Sequence, residues 1–322
     1  MTSHQDAPGS GLDLESRHLL RDILPQFAPQ PGMSAEDLRS RALEMGRRLQ
    51  GDAPQMDMVR DVDGPVPARL YFPGPERPAP VLIWAHGGGF TTGGLDTHDR
   101  LCRRLAAQSG CAVLCFDYRL APDHKFPAAV EDCRDTILWI IANGDKFGID
   151  NQRVAIGGSS AGGNLAIASA LMLRDAGQMP VRLIAAVYPV LDLEVCSDSA
   201  RRHAEGYQLT TAMMRAYIAH YLEDGQDLRA PYLSPLHAPS LAGLARVHLI
   251  AAEFDPLVDD STTFADRLRH AKIPVMLSVY PGVMHGFFAQ AGVLTKARQA
   301  QEELCAAVRL ALSDRGAGRD QE

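Results

Sequence analysis

No apolar stretch of the 322-residue chain approaches the roughly 20 residues that a membrane-spanning helix requires. The longest helix-like run, from Leu165 to Leu173, is far too short and reads as a buried core helix, so no membrane span is expected. The first residues, Met1-Thr2-Ser3-His4-Gln5-Asp6, lack a basic region, and the apolar stretch around Leu19-Leu20 is broken by Arg21 and Asp22. No secretory signal is readable, and the expected location is the cytoplasm. A basic stripe is also missing. The formal net charge is -7 with both signs interspersed, as in Arg100-Leu101-Cys102-Arg103-Arg104 beside Asp96 and Asp99. That pattern speaks against a nucleic-acid partner and for a small molecule. The six cysteines (Cys102, Cys111, Cys115, Cys133, Cys196, Cys305) form no close pairs with nearby histidines, so no zinc site is expected. They read as small buried groups in a reducing compartment. Internal repeats and low-complexity segments are absent.

The chain does have an apolar fraction of 46%, enough to bury one large core in a single domain. From about residue 67, short apolar β-branched runs alternate with helical patterns, as in a mainly parallel sheet covered on both faces. The strand candidates are 68–72, 81–85, 112–116, 154–156, 183–188, 247–252 and 275–280, with 56–62 as an antiparallel edge. Apolar residues recurring at three- and four-residue steps predict helices over 97–107, 127–143, 161–175, 210–222, 261–270 and 294–312. Two segments break the alternation: residues 1 to about 55, helical around 14–24 and 35–50, and an insertion at about 191–241. Ligands bind at the carboxyl ends of parallel strands, so the two together are expected to form a cap over that edge.

The strand-to-helix run Val154-Ala155-Ile156-Gly157-Gly158-Ser159-Ser160-Ala161-Gly162-Gly163-Asn164 contains a Gly-x-Ser-x-Gly turn. Such a turn strains the serine and needs glycines two residues to either side, where a Cβ would clash. Ser160 has Gly158 and Gly162 in those places, whereas Ser159 has Gly157 and Ala161, so Ser160 is the expected nucleophile. A phosphate-binding loop is disfavoured, because the lysine and the Gly-x-Gly-x-x-Gly spacing are missing. Upstream, His86-Gly87-Gly88-Gly89-Phe90 follows an apolar strand. Its successive glycines can turn backbone N–H groups toward one point, as a developing oxyanion requires. The expected donors are Gly87, Gly88 and, across the turn, Ala161.

Activating a serine takes a base and a group to hold that base, in this setting in the chain order serine, acid, histidine. Of the histidines after Ser160 only His285 follows the last strand, on a loop able to reach back; His270 reads as a surface residue of a helix. Asp255, at a strand's carboxyl end, is the first candidate acid, with Asp192 as the rival. Asp259 reads as the cap of the helix near Ser261. Phe90, Tyr188, Leu209 and Phe287, along with Tyr207, Met213 and Met214, are candidates to line an apolar pocket.

These motifs, with Tyr118-Arg119-Leu120-Ala121-Pro122, Phe126-Pro127-Ala128-Ala129, Asp255-Pro256-Leu257 and His285-Gly286-Phe287, give a specific likeness over about 81–288. The chain resembles the bacterial hormone-sensitive-lipase-like (family IV) carboxylesterases of the α/β-hydrolase superfamily. The resemblance implies one α/β-hydrolase domain over 1–322, with an eight-stranded, mainly parallel sheet and a two-segment helical cap. It implies Ser160, Asp255 and His285 as catalytic residues and Gly87, Gly88 and Ala161 as oxyanion donors. Short- to medium-chain carboxylic esters are the implied substrates, with neither metal nor organic cofactor. Ser159 departs from the Asp, Glu or Thr usual before the nucleophile, and Asp123 and Lys125 stand where Glu and Pro are more common. The same triad is compatible with amide hydrolysis or acyl transfer. Receptors related to the family have lost the catalytic histidine, which is present here as His285. A homodimer paired through strand 275–280 is a further expectation.

Overall fold

A computed structural model describes residues 9–27 and 35–313. Its strands are β1 (Met58–Asp63), β2 (Pro67–Phe72), β3 (Ala79–Ala85), β4 (Ala112–Phe116), β5 (Ile149–Ser159), β6 (Leu183–Val187), β7 (Arg246–Phe254) and β8 (Val275–Met284). They form one sheet in the order β1-β2-β4-β3-β5-β6-β7-β8. β2 is antiparallel to both its neighbours and every other pairing is parallel, which is the expected eight-stranded, mainly parallel sheet.

The helices are α1 (Leu14–His18), α2 (Ala35–Leu49), α3 (Leu95–Ser109), α4 (Ala128–Asn143), α5 (Ala161–Asp175), α6 (Asp198–Arg202), α7 (Thr211–Tyr221), α8 (Val258–His270) and α9 (Thr295–Leu312). No helix among the described residues is long and apolar enough to cross a membrane. Strand alternation divides the core. Val81, Ile83 and Ala85 face a cluster with Ile137 of α4, Leu165 of α5 and Phe264 of α8. Leu82 and Trp84 face the other, with Leu105 of α3 and Leu304 and Val308 of α9. Strands covered on both faces need apolar residues at nearly every position, which is why the central ones read as unbroken apolar runs.

Element boundaries differ from expectation where polar residues take part. β5 starts at Ile149, in Asp150-Asn151-Gln152-Arg153, and runs on to Ser159. The segment expected as one helix over 14–24 is α1, capped by Asp13 accepting the Ser16 N–H at 2.8 Å, followed by a π turn (Leu19–Ile23) and a 3-10 turn (Leu24–Phe27). α8 begins at Val258, so Asp259 lies inside its first turn and is not its cap. Its carboxylate instead accepts the Ser199 N–H at 2.7 Å. Parts of the expected cap, residues 1–8 and 28–34, lie outside the described residues.

Candidate active site

Ser160 sits between β5 and α5 with φ 56 and ψ -119, a left-handed conformation that costs about 1–3 kcal/mol and persists only where the surroundings impose it. Those surroundings are backbone. A Cβ on Gly162 would lie 2.1 Å from the Ala85 carbonyl oxygen, and one on Gly158 would lie 2.4 Å from Gly162 and 2.6 Å from Ala85. The end of β3 therefore presses directly on the turn, and both flanking glycines are required.

His285 follows β8 immediately, and its Nε2 lies 3.0 Å from Ser160 Oγ. Its Nδ1 is 2.7 Å from Oδ2 of Asp255, which has no exposed surface. The other oxygen, Oδ1, accepts the Leu257 N–H at 2.9 Å. A carboxylate only accepts, so Nδ1–H donates to it and the Nε2 lone pair faces the serine hydroxyl. Asp192 is not part of this set. Its Oδ1 lies 3.1 Å from His237 Nε2 and accepts the Glu194 N–H at 2.9 Å. His270 is exposed, as expected.

In the glycine loop, one of the three expected donors already has a partner. The Gly87 N–H is directed at Nε2 of His98, 3.4 Å away, a partner eleven residues downstream that no motif announced. The Gly88 and Gly89 N–H groups have no acceptor among the described residues. The peptides that carry them are held by their carbonyl ends. Gly87 O accepts from His86 Nδ1 at 2.9 Å. Gly88 O accepts from the N–H groups of Thr91 (3.1 Å) and Thr92 (2.9 Å) and from the Thr92 hydroxyl (3.1 Å). Ser160 O likewise accepts the Asn164 N–H at 3.1 Å, anchoring the peptide whose N–H belongs to Ala161, first residue of α5. Helices leave the N–H groups of their first turn without intrahelical partners. Burial pushes His86 down to about 4 against the raising effect of its bond to Gly87, so its imidazole is neutral.

The residues expected to line a pocket are packed instead. Phe287 is fully buried, with ring centroids 5.9 Å from Tyr188 and 5.4 Å from Tyr280. Phe90 stacks on Tyr221 at 3.9 Å. Both belong to the core, so they offer no open wall. Tyr188 is also buried, its ring 4.5 Å from His285, and Leu209 is buried in the apolar cluster that includes Met214. What touches the loops instead is Tyr217, an aromatic of the expected insertion, and Gln208, which sequence reasoning passed over. The Tyr217 ring of α7 would meet a Cβ on Gly89 at 2.4 Å, and the Gln208 side chain one on Gly286 at 3.0 Å. Ser199 of α6 donates its hydroxyl to Pro256 O at 2.7 Å. The insertion thus touches the glycine, acid and histidine loops.

Metal-type donors converge at one place among the described residues, where ligand atoms of Asp192, Glu194 and Cys196 lie within 4.8 Å of one another. Both carboxylates already accept hydrogen bonds, Asp192 from the Glu194 N–H at 2.9 Å and Glu194 from Arg229 at 2.9 Å. A polar cleft of about 310 Å³ bounded by Gln50, Arg69, Asp96 and Arg100 contains none of the residues around Ser160.

Comparison with known proteins finds relatives of the same fold. A family model described as "alpha/beta hydrolase fold" matches residues 82–289. An ethyl acetate hydrolase of Pseudomonas putida is 34% identical over 279 residues, covering 84% of this chain and 88% of its own. A carboxylesterase (NlhH) of Mycobacterium tuberculosis is 33% identical over 302 residues, 91% of this chain and 94% of its own. The solved structure of a hyperthermophilic esterase from Pyrobaculum calidifontis superposes with a TM-score of 0.89 at 35% identity, covering 94% of this chain and 99% of that one.

Proposed function

The chain belongs to the α/β-hydrolase fold family, in its hormone-sensitive-lipase-like branch, and we propose that this carboxylic ester hydrolase works through an acyl-enzyme on Ser160. The observation that carries the reading is the continuous relay Asp255–His285–Ser160, with contacts of 2.7 and 3.0 Å. His285 Nε2 takes the hydroxyl proton as Oγ attacks the ester carbonyl, and Asp255 stabilises the imidazolium that forms. The N–H groups of Gly88, Gly89 and Ala161 receive the oxyanion, Gly87 being turned toward His98. His285 then protonates the leaving alcohol, and water, activated by the same nitrogen, releases the acid. Short- to medium-chain carboxylic esters are the substrate reading, supported by the likeness to an ethyl acetate hydrolase.

Residues up to about 55 and the insertion between β6 and β7 act as a cap, a role supported by the contacts of Ser199, Gln208 and Tyr217 with the three loops. A homodimer through β8 is supported by its place at the sheet edge, where Met276 is 55% and Val279 41% exposed. A cytoplasmic location is supported by cysteines that are all free, five of them buried.

The test is hydrolysis of p-nitrophenyl esters from acetate to palmitate by the wild type and Ser160→Ala side by side. Ser160→Ala should lose about 10⁴-fold or more in kcat with the circular dichroism unchanged. Retained activity above a few per cent would move the nucleophile elsewhere.

A further inference from the structure

We infer that His98, on α3, is a positioning residue for the oxyanion loop, receiving the Gly87 N–H at Nε2 and thereby helping to set the direction of the Gly88 N–H that follows. The inference rests on the acyl-enzyme reading above and adds to it a residue outside every motif considered so far.

The proton positions follow from the acceptors. The Thr97 hydroxyl has one proton, and it is donated to the Gly94 carbonyl at 2.8 Å, which can only accept. His98 Nδ1 lies 2.8 Å from that same hydroxyl oxygen, so the ring must donate there. A neutral imidazole carries a single N–H, which leaves a lone pair on Nε2 facing the Gly87 N–H at 3.4 Å. Burial, reinforced by the neighbouring His86, pushes His98 down to about 3, so the lone pair is available at neutral pH.

Gly87 is thus gripped at both ends, its N–H by His98 and its carbonyl by His86 Nδ1. In a trans peptide the carbonyl and the following N–H point in opposite directions. Holding the Gly87 carbonyl therefore aims the Gly88 N–H, and holding the Gly87 N–H prevents the residue from rotating about its own backbone bonds. Without a Cβ, only outside partners can supply that restraint. The two rings lie 5.4 Å apart, and His86 is stacked on Tyr118 at 4.1 Å, so the grip is built on packed groups.

The experiment compares His98→Leu, which removes the acceptor, with His98→Gln, whose side-chain oxygen can reach the place of Nε2. The readouts are kcat and KM on p-nitrophenyl butyrate and inhibition by a trifluoromethyl ketone, which forms an oxyanion on the serine. His98→Leu should lower kcat about 10- to 100-fold with KM within about threefold, since a misaimed donor costs transition-state binding and spares ground-state binding. Ketone affinity should fall in parallel, and His98→Gln should recover most of both. Thr97→Val provides a second reading should His98→Leu fail to fold. Without the hydroxyl the ring proton is free to move to Nε2, and kcat should drop several-fold. Unchanged kcat and ketone affinity in folded His98→Leu, or in Thr97→Val if that variant alone folds, overturns the inference, as does equal damage by Leu and Gln. An active Ser160→Ala would instead overturn the acyl-enzyme reading itself.

Discussion

Beneath Ser160, the chain is fixed by backbone against backbone, whereas above it the insertion meets the glycine and histidine loops through side chains. A Cβ on Gly162 would strike the Ala85 and His86 carbonyl oxygens at 2.1 and 2.5 Å, and neither can move without moving β3. A Cβ on Gly286 would meet only the Gln208 side chain at 3.0 Å, and one on Gly89 the Tyr217 ring. Both neighbours are carried by rotatable bonds. Acyl transfer requires the nucleophile, base and oxyanion donors to hold their places within about 0.5 Å, while substrate entry requires something to yield. The molecule assigns the first demand to parts that cannot move independently and the second to parts that can. Substitutions below should therefore damage chemistry or the fold, and substitutions above should leave the chemical step alone.

The largest effect should come from Asp255→Asn. The amide keeps an oxygen for the Leu257 N–H but presents an NH₂ group to His285, where Oδ2 now lies 2.7 Å from Nδ1. The ring must then carry its proton on Nε2 and cannot accept one from Ser160. We expect kcat/KM on p-nitrophenyl butyrate to fall about 10⁴-fold with little change in the urea midpoint. Near-wild-type kinetics would return the role to Asp192, although its carboxylate faces His237.

Next is a paired measurement that sharpens the comparison. Gly162→Ala forces a methyl into backbone that cannot retreat and should cost about 3 kcal/mol of unfolding free energy, with loss of activity in the residual folded fraction. Gly286→Ala suffers only the strain of φ 86 and a displaced Gln208, and about 1 kcal/mol is expected. Urea unfolding of both decides the matter. Equal losses would mean that the upper contacts are as rigid as the lower ones.

The same division governs what could be read from the sequence. The glycines around Ser160 are legible because their cause is local, a turn too tight for a Cβ at fixed spacing. The buried strands are legible because two covered faces leave an uninterrupted apolar run. His285 and Asp255 could be placed from their positions after β8 and β7. The direction of the Gly87 N–H was not legible because it depends on its acceptor, and that acceptor, His98, sits on a different element. Phe287 suits a pocket because it is an aromatic beside the histidine; the 3-10 turn Phe287–Ala289 buries it, a placement that no local pattern announces. Gln208 has no motif signature, and Tyr217, though inside the expected helix over 210–222, has none that marks it as a neighbour of the glycine loop. Their importance comes from glycines 78 and 128 positions away, through contacts that only the folded chain creates.

Tyr207→Phe should produce the smallest effect. The hydroxyl bonds the Ser10 carbonyl at 3.2 Å and so ties the insertion to the N-terminal segment at the surface. Its loss leaves the ring packed on Phe254 at 5.4 Å and near His203 at 5.3 Å. The segment also keeps its other anchors, the Asp13 N–H on Gly282 O at 2.9 Å and Lys296 on Asp13 at 2.8 Å. A solvent-exposed hydrogen bond of this kind contributes about 0.5 kcal/mol, so the melting temperature should move by only a degree or two. If this contact only steadies the entrance, KM for the longer esters should change up to about twofold and kcat should not change, because the hydroxyl touches none of the groups that transfer the proton or receive the oxyanion. A tenfold fall in kcat would break the comparison, since a single surface bond in the upper layer would then be setting the geometry of the layer below.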